Sequence, residues 1–344
     1  MRFAYLATSL IYFLATQMAA AFVAEGNRTY TTPDGTVTMR VVSTADVNVF
    51  EPIILEFQRQ HPTINIEYVI ASSTELMKAL HDEGASFDLA ISSAMDLQTK
   101  LANDGFAQTY TSTATSALPD WAVWRNQLFA FTQEPAVLVI SKAAFEGMVP
   151  PNTREELITL LRDNPEKFEH RVGTYDVRIS GAGYLFATQD SRNADSYWRL
   201  TEVMGRLNTR LYSGSGAMIR DVASGQLTMA YNVVGSYAAS RLPEFPGIRI
   251  IQFDDYVNVM LRTALIPKNA QHPVQSGLMI DFLATLNERP DLTKLTSLPP
   301  IDSAQLQENS AARPIRLGPG LLVFLDKLKK ENFLKNWVSS MEQE

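Results

Sequence analysis

Two polar turns lie close together in the second half of the chain, and both are suited to bind an anion. Residues 213–216 precede one predicted helix and residues 232–236 precede the next, with an apolar strand between them. The first backbone N–H groups of a helix have no partner within it, and together with the helix dipole they attract negative charge. The same residue types are common helix caps, so each turn alone also fits a structural role. The candidate ligand-binding residues in these turns are Ser215, Asn232 and Ser236.

Hydroxyl side chains follow three predicted strands in the first part of the chain. The strands cover residues 37–43, 64–71 and 87–91, and they alternate with predicted helices. Apolar strands joined by helices form parallel sheets, and such sheets bind ligands beyond the carboxyl ends of their strands. Helix capping also explains these hydroxyls when each is taken alone. The candidates at the strand ends are Thr44, Ser73, Thr74 and Ser93.

A further group of candidates combines one cation with amide, carboxylate and aromatic side chains. Arg178 ends a predicted strand, and its guanidinium is suited to pair with a phosphate or a carboxylate, although a surface ion pair explains it equally well. Gln133 and Glu134 lie between two apolar runs, either as acceptors for ligand hydroxyls or as hinge hydrogen bonds. The remaining candidates are Gly183, Tyr184 and Tyr256. Tyr237 could line the cleft together with the other two tyrosines, although aromatic side chains more often belong to a core.

The order of predicted elements indicates two α/β lobes. The chain passes from one to the other near residues 133–136 and back near residues 261–266. We therefore predict lobe one at residues 37–134 plus 266–344 and lobe two at residues 135–265. Each lobe is predicted to have a parallel-type sheet covered by helices, and two strands form a hinge beside a ligand cleft.

Composition excludes several classes of function. The net charge is −7 and no stripe of Lys and Arg is present, so a nucleic-acid partner is not expected. The chain has no cysteine, which excludes a lipidated N-terminal Cys, disulfides, thiol catalysis and Cys–zinc sites. Nucleophile-elbow, zinc-protease and P-loop motifs are absent from the sequence, and the histidines are scattered. We predict a binding protein without catalytic residues, cofactor or metal.

The N-terminus has the composition of a signal peptide. Arg2 is followed by a largely apolar run over residues 3–18 and by three alanines at residues 19–21. We predict that residues 1–24 are removed on export. The mature chain is then expected to be a periplasmic monomer without a lipid anchor.

Several segments together resemble the extracytoplasmic solute-binding proteins of ABC transporters, in their type II arrangement. The carriers are VTMRVVSTA with FEPIILEFQRQHP, then INIEYVIASS, FDLAISSAMD, FAFTQEPAVLVIS and GQLTMAYNVVGSY. RPIRLGPGLLVFLDKLKK at residues 313–330 resembles the phosphoglycerate transport regulatory proteins within the ferric-iron-type branch. The resemblance implies a two-lobed fold and a small ligand. It also implies an ABC permease, a membrane sensor kinase, or both as partners.

One departure from the resemblance bears on the ligand. Ferric-binding members of the branch present two adjacent tyrosines after the strand of lobe two, whereas this chain has Tyr231 followed by Asn232. An amide and hydroxyls donate to anions but do not supply the negative charge that Fe(III) requires. We therefore expect a small anionic metabolite, such as an organic phosphate. Ferric iron and, less favoured, phosphoester hydrolysis are the alternatives.

Overall fold

A computed structural model describes residues 21–343, so residues 1–20 of the predicted signal peptide lie outside the described residues. The strands in chain order are β1 (Gly26–Tyr30), β2 (Val37–Ser43), β3 (Ile64–Ile70), β4 (Leu89–Ser92), β5 (Val123–Trp124), β6 (Leu128–Ser141), β7 (Val172–Tyr175), β8 (Arg210–Tyr212), β9 (Met229–Val234), β10 (Ile248–Ile251), β11 (Val257–Leu265) and β12 (Ala312–Pro314).

The α-helices alternate with these strands and cover both faces of the sheet. In chain order they are α1 (Val47–Gln60), α2 (Ser73–Met77), α3 (Met95–Asn103), α4 (Thr113–Ser116), α5 (Arg154–Asp163), α6 (Pro165–Phe168), α7 (Gly181–Asn193), α8 (Ser196–Arg206), α9 (Ser215–Ala223), α10 (Gly235–Arg241), α11 (Pro273–Ala284), α12 (Pro290–Thr296), α13 (Ser303–Glu308) and α14 (Lys327–Met341). Within residues 21–343, every helix is too short or too polar to cross a membrane.

The predicted α/β, two-lobed architecture is confirmed, and the two parts of the sheet are continuous with each other. The strand order is β1-β3-β2-β4-β11-β6-β9-β7-β8. β2 runs parallel to β3 and β4 in lobe one, and β7 runs parallel to β8 and β9 in lobe two. β11 and β6 join these parallel groups through antiparallel pairs. The result is one mixed sheet rather than two separate parallel ones.

The two strands that cross between the lobes pair with each other at the crossing. Residues 128–131 and 136–140 are predicted from the sequence as separate apolar runs, but β6 is one strand through both. Gln133 and Glu134 stay in register because they face Leu261 and Met260 of β11. Backbone pairing with β11 therefore keeps this polar segment in the sheet, and the two strands together form the predicted hinge.

The C-terminal helix packs on lobe two. Phe333, Trp337 and Met341 of α14 share one core with Leu200 and Met204 of α8. Just before α14, a 3₁₀ segment at Pro319–Leu325 packs on α3 of lobe one. The lobe boundaries stay a prediction, and this packing favours placing residues 327–341 with lobe two. The main chain then crosses between the lobes a third time at residues 325–327.

Candidate functional site

A cavity of ≈ 160 Å³ lies between the two lobes at the carboxyl ends of β2, β4 and β7. Its volume is below the roughly 300–1,000 Å³ of pockets for drug-sized ligands, so it suits a small metabolite. The polar side chains of its wall are Glu25, Thr44, Asp46, Ser72, Ser73 and Ser93 on the lobe-one side and Tyr175, Ser180, Ser213, Ser215 and Tyr237 from lobe two, with Arg262 from β11.

The lobe-one wall is built by the hydroxyl-rich strand ends. Thr44 follows β2 and its Oγ1 accepts a hydrogen bond of 3.2 Å from the backbone N–H of Ser93, which follows β4. Because β2 and β4 are parallel neighbours, their carboxyl ends meet at the same edge of the sheet. Ser73 begins α2 beside them, after the cap Ser72. These hydroxyls both donate and accept hydrogen bonds, so they are able to bind either type of ligand group.

The lobe-two wall is built around the first turn of α9. Gly214 is the N-cap and gives α9 no side-chain cap, so the first N–H groups of this nine-residue helix are available at the cavity. The Ser215 hydroxyl lies 2.5 Å from the Tyr175 hydroxyl and accepts a 3.1 Å hydrogen bond from the Val234 N–H. This contact fixes the start of α9 relative to β7 and β9.

Arg262 is the buried cation of this cavity. It lies within β11 and is 1% exposed, and its Nε and Nη2 donate to the Glu134 carboxylate at 2.9 and 3.1 Å. Its Nη1 is buried and finds no hydrogen-bond partner among residues 21–343. Burial acts to lower the pKa of Arg262, but the Glu134 carboxylate outweighs burial and holds this pKa above its usual value. Arg262 is therefore permanently charged, and this residue of the cavity wall keeps one buried donor without an acceptor among the described residues.

Two phenols of the cavity wall remain protonated at neutral pH. Burial raises the pKa of the Tyr175 hydroxyl. Burial likewise raises the pKa of the Tyr237 hydroxyl, although Arg262 acts in the opposite direction. Both side chains therefore present neutral hydroxyl groups rather than phenolates.

Two hydrogen bonds join the lobes across the cavity. The backbone N–H of Gly181 donates to Ser73 Oγ at 3.1 Å. The backbone N–H of Asp46 donates to the Tyr237 hydroxyl at 3.2 Å. The lobes are thus in direct contact on both sides of the cavity, as expected for a closed arrangement of the cleft.

The structure brings five of the sequence-predicted candidates together around this cavity and distributes the others elsewhere. The five are Thr44, Ser73, Ser93, Ser215 and Tyr237. Thr74 lies next to them, with its hydroxyl 3.0 Å from that of Ser72, but it does not contribute to the wall. Which of them contacts a ligand stays a prediction.

Arg178 lies away from this cavity. Its guanidinium pairs with Asp176 at 2.8 Å and with Glu342 at 2.7 Å, and its side chain is 39% exposed. Arg178 therefore forms surface ion pairs, which is the alternative to ligand binding given above. We do not include Arg178 in the proposed site.

Three of the candidates, Glu134, Ser236 and Gln133, lie near the hinge. Glu134 is buried and holds the Arg262 guanidinium, while Ser236 donates a short hydrogen bond to Glu134. Gln133 and Ser236 contribute to a different cavity of ≈ 590 Å³. Gln133 donates to the side chain of Gln305 at 3.0 Å, which matches the hinge hydrogen-bond alternative.

The other candidates of lobe two are part of its interior. Asn232 and Tyr256 both donate to the carboxylate of Asp190, at 2.7 and 3.0 Å. Tyr184 is buried and donates to the carbonyl oxygen of Phe324 at 2.6 Å. Gly183 belongs to the first turn of α7, which begins at Gly181. Ser180 caps this helix by accepting from the Gly183 N–H.

The cavity also contains residues that sequence reasoning missed. Arg262 and Tyr175 are the clearest examples. Arg262 carries a recognisable signal, because it is the one charged residue in the apolar strand VNVMLRTAL, at the predicted second crossing. Tyr175 carries no such signal, since buried tyrosines elsewhere in the chain look the same in the sequence.

Comparison with known proteins identifies related chains. A family model described as bacterial extracellular solute-binding protein matches residues 42–285. The substrate-binding protein of an ABC transporter from Agrobacterium tumefaciens is 31% identical, with 93% of this chain and 99% of that chain covered and a TM-score of 0.88. Comparison with curated proteins gives no match.

Two more distant structures share the fold. AfuA from Actinobacillus pleuropneumoniae, with fructose-6-phosphate bound, is 13% identical over 90% of this chain and 100% of that chain, with a TM-score of 0.71. Iron-bound HitA from Pseudomonas aeruginosa is 16% identical over 88% of this chain and 99% of that chain, with a TM-score of 0.65. At these identities the likeness concerns the fold alone.

Proposed function

This chain belongs to the bacterial extracellular solute-binding proteins, and we propose that it captures a small organic anion in the cavity between its lobes. At the family level it is a periplasmic solute-binding protein of ABC transport, and the members of the family are binding proteins rather than enzymes. The proposal adds the chemistry of the ligand, an organic phosphate or a similar oxyanion. The fructose-6-phosphate bound to AfuA supports this class of ligand.

The single observation that carries the proposal is the free donor of Arg262. Arg262 contributes to the cavity wall, and no residue in the described range 21–343 accepts from its buried Nη1. A buried donor without an acceptor costs about 1–3 kcal/mol, and more when it is charged. An anionic ligand that accepts from Nη1 removes this cost on binding. The hydroxyls of the wall and the N-terminus of α9 supply further donors.

The protonated phenols of the wall disfavour ferric iron as the ligand. Ferric iron needs negatively charged oxygen ligands, but the two phenols of the wall are held protonated by burial. The iron bound to HitA is therefore a weaker guide to this chain than the anion bound to AfuA.

We further propose how the protein is exported and which membrane proteins receive its ligand or its signal. Export with removal of residues 1–24 and action as a monomer are our proposals for the mature chain. Delivery to an ABC permease follows from the family. The resemblance of residues 313–330 to phosphoglycerate transport regulatory proteins supports a membrane sensor kinase as a second receiver.

Thermal unfolding with added ligands tests the anion proposal. The probes are glycerol 3-phosphate, glucose 6-phosphate, D-glycerate and D-gluconate, with glycerol and glucose as neutral controls and ferric nitrilotriacetate as the metal. A ligand present at about 100 times its Kd stabilises the folded state by about 2.7 kcal/mol. We expect a concentration-dependent rise in Tm with at least one anion and none with its neutral counterpart. A rise with ferric iron and none with the anions would refute the proposal.

A matched pair of variants connects this response to Arg262. Arg262→Gln removes the free donor, so the anion-dependent rise in Tm should disappear. Arg199→Gln removes an exposed Arg whose partner is Glu155, and this control should keep the full response. Because Arg262→Gln leaves Glu134 buried without its cation, the double variant with Glu134→Gln restores neutrality and should also fail to respond. A normal response in both Arg262 variants would contradict the assignment.

A further inference from the structure

The charges around the cavity limit the charge of its ligand. Arg262 and Glu134 are 1% and 0% exposed and form a two-point ion pair, so their charges cancel within the wall. Thr132 donates to the same carboxylate at 2.7 Å, and Ser236 donates to its other oxygen. Glu134 is therefore fixed in place, and it holds Nε and Nη2 of the guanidinium, which leaves the buried Nη1 without an acceptor among the described residues.

The charges at the mouth of the cavity are negative. Glu25 and Asp46 both contribute to its wall, and both are exposed. Together with the neutralised Arg262, they leave the cavity without an uncompensated positive side chain among its described wall residues. A second negative charge on a ligand therefore meets repulsion from Glu134 and from the mouth, and gains no second cation in return.

We infer that Glu134 is a positioning residue that restricts this site to singly charged organic acids carrying hydroxyl groups. The acid group of the ligand accepts from Arg262 Nη1. Its hydroxyl groups donate toward Asp46 and exchange hydrogen bonds with Thr44, Ser73 and Ser93. This inference rests on the proposed function and refines its ligand class. It favours a hydroxylated monocarboxylate, or a phosphate ester in its singly protonated form, over the dianion of a phosphate monoester.

The test uses ligands that differ in charge and resemble each other in size. D-glycerate and D-gluconate carry one charge, whereas glycerol 3-phosphate and glucose 6-phosphate lose a second proton near pH 6. Affinities are measured by calorimetry between about pH 8 and about pH 5, which brackets this second ionisation. We expect the carboxylates to bind more tightly than the esters at the upper pH. Ester affinity should rise about tenfold or more toward the lower pH, as the monoanion becomes the main species.

The protein's own titration is controlled within the same experiment. The titratable groups facing the ligand are Glu25, Asp46, Tyr175, Tyr237 and Arg262, with Glu134 behind Arg262. The pKa values of Tyr175, Tyr237 and Arg262 are all raised, so these groups keep their protons over this range. The carboxylate ligands keep one charge, so any pH dependence in their affinity reports the protein and is subtracted from that of the esters.

The outcomes separate this inference from the function on which it rests. Esters that bind more tightly than carboxylates at about pH 8, or whose corrected affinity does not rise on acidification, overturn the inference and leave anion binding intact. A protein that responds to neither class of anion overturns both. Carboxylate preference with rising ester affinity at low pH supports both.

A variant pair assigns the charge restriction to Glu134. Glu134→Gln removes the compensating charge, so the ratio of ester to carboxylate affinity at the upper pH should rise by about tenfold or more, by Coulomb's law at an effective dielectric of about 20. Glu155→Gln removes an exposed carboxylate whose partner is Arg199, away from the cavity, so its ratio should stay that of the wild type. If the ratio in Glu134→Gln is unchanged, Glu134 does not restrict the charge of the ligand. If this variant does not fold, the pH series on the wild-type protein decides the inference.

Discussion

Replacement of Arg154 by Met should destabilise lobe two strongly. Arg154 is 1% exposed at the start of α5, and its Nε donates to the Tyr231 hydroxyl at 2.8 Å. Its Nη1 donates to the carboxylate of Asp255 and to the carbonyl of Tyr256, both at 2.8 Å. Its Nη2 lies 3.5 Å from Asp190, which is fully buried. One side chain thus connects α5 to α7, β9 and the start of β11.

The expected loss of stability follows from the buried charge that loses its partner in the variant. In Arg154→Met, Asp190 keeps four neutral donors, from Tyr231, Asn232, Tyr256 and Asn258. It loses the nearby cation, and breaking a buried ion pair by removing one partner costs about 3–5 kcal/mol. Asp255 is 28% exposed and regains water, so it adds little to this cost. We expect the loss to lie toward the lower end of that range, at about 3 kcal/mol.

Urea unfolding followed by circular dichroism measures this loss, and a double-mutant cycle assigns it. Asp190→Asn in the Arg154→Met background removes the buried carboxylate that has lost its cation. The loss in free energy of unfolding of the double variant should therefore be smaller, by about 1 kcal/mol or more, than the sum of the two single losses. Arg199→Met, in an ion pair whose partners are 53% and 59% exposed, is the surface control and should change stability by less than about 0.5 kcal/mol. A loss below about 1 kcal/mol in Arg154→Met, or additive effects in the cycle, would refute the reasoning.

The remaining predictions concern the cleft and the N-terminus of α3. Gly181→Ala places a Cβ against Ser73 across the cleft, so the lobes should no longer close fully when ligand binds. Small-angle scattering should show this incomplete closure, and anion affinity should fall about tenfold or more. Tyr237→Phe removes the hydrogen bond from Asp46 N–H, and calorimetry should show anion affinity lowered by about fivefold. Burial raises the pKa of Asp96 to about 6, above its unfolded value of about 4, so the folded state binds the proton more tightly. Stability should therefore fall by about 2 kcal/mol as the pH rises from about 4 to about 6, and Asp96→Asn should flatten this loss in urea unfolding at a series of pH values.

Each of these predictions has a control and a contradicting result. Gly247→Ala adds a Cβ that meets no atom within 4 Å, so it should leave closure unchanged, and a matching defect there would contradict the steric explanation. Tyr212→Phe removes a hydroxyl bonded to Asp221 outside the cleft and should keep full affinity; equal losses in both Phe variants would contradict an interlobe role. For Asp96, stability that is flat or rises between about pH 4 and about pH 6 would contradict the assigned direction.

The sequence predicted the strands of the first lobe because buried strands appear in it as short apolar runs. β2 begins and ends as predicted at residues 37 and 43, and β3 differs from its prediction by one residue. The adjoining hydroxyls were predictable as a group because parallel strands bring their carboxyl ends to one edge. Thr44 and Ser93 follow two such strands, and they meet at the cavity.

Side-chain partners supplied by distant parts of the chain were not predictable in this way. Arg178 is paired by Glu342, which is 164 positions away, and this pairing keeps it out of the cavity. Asn232 and Tyr256 converge on Asp190, a residue with no distinguishing neighbours in the sequence. A single sequence shows which groups need partners, but the fold decides which partners are near. Arg262 is the exception, because a lone cation within an apolar strand already requires a buried anion.

The three passages of the main chain between the lobes constrain how the ligand enters and leaves. Two are the paired strands β6 and β11, and the third lies at residues 325–327, between the 3₁₀ segment on α3 and α14 on α8. A rigid rotation leaves only the points on its axis in place, so short covalent links at three positions remove most degrees of freedom from the relative motion. We expect opening to follow a single trajectory, with its axis close to the two strands and with the third link bending.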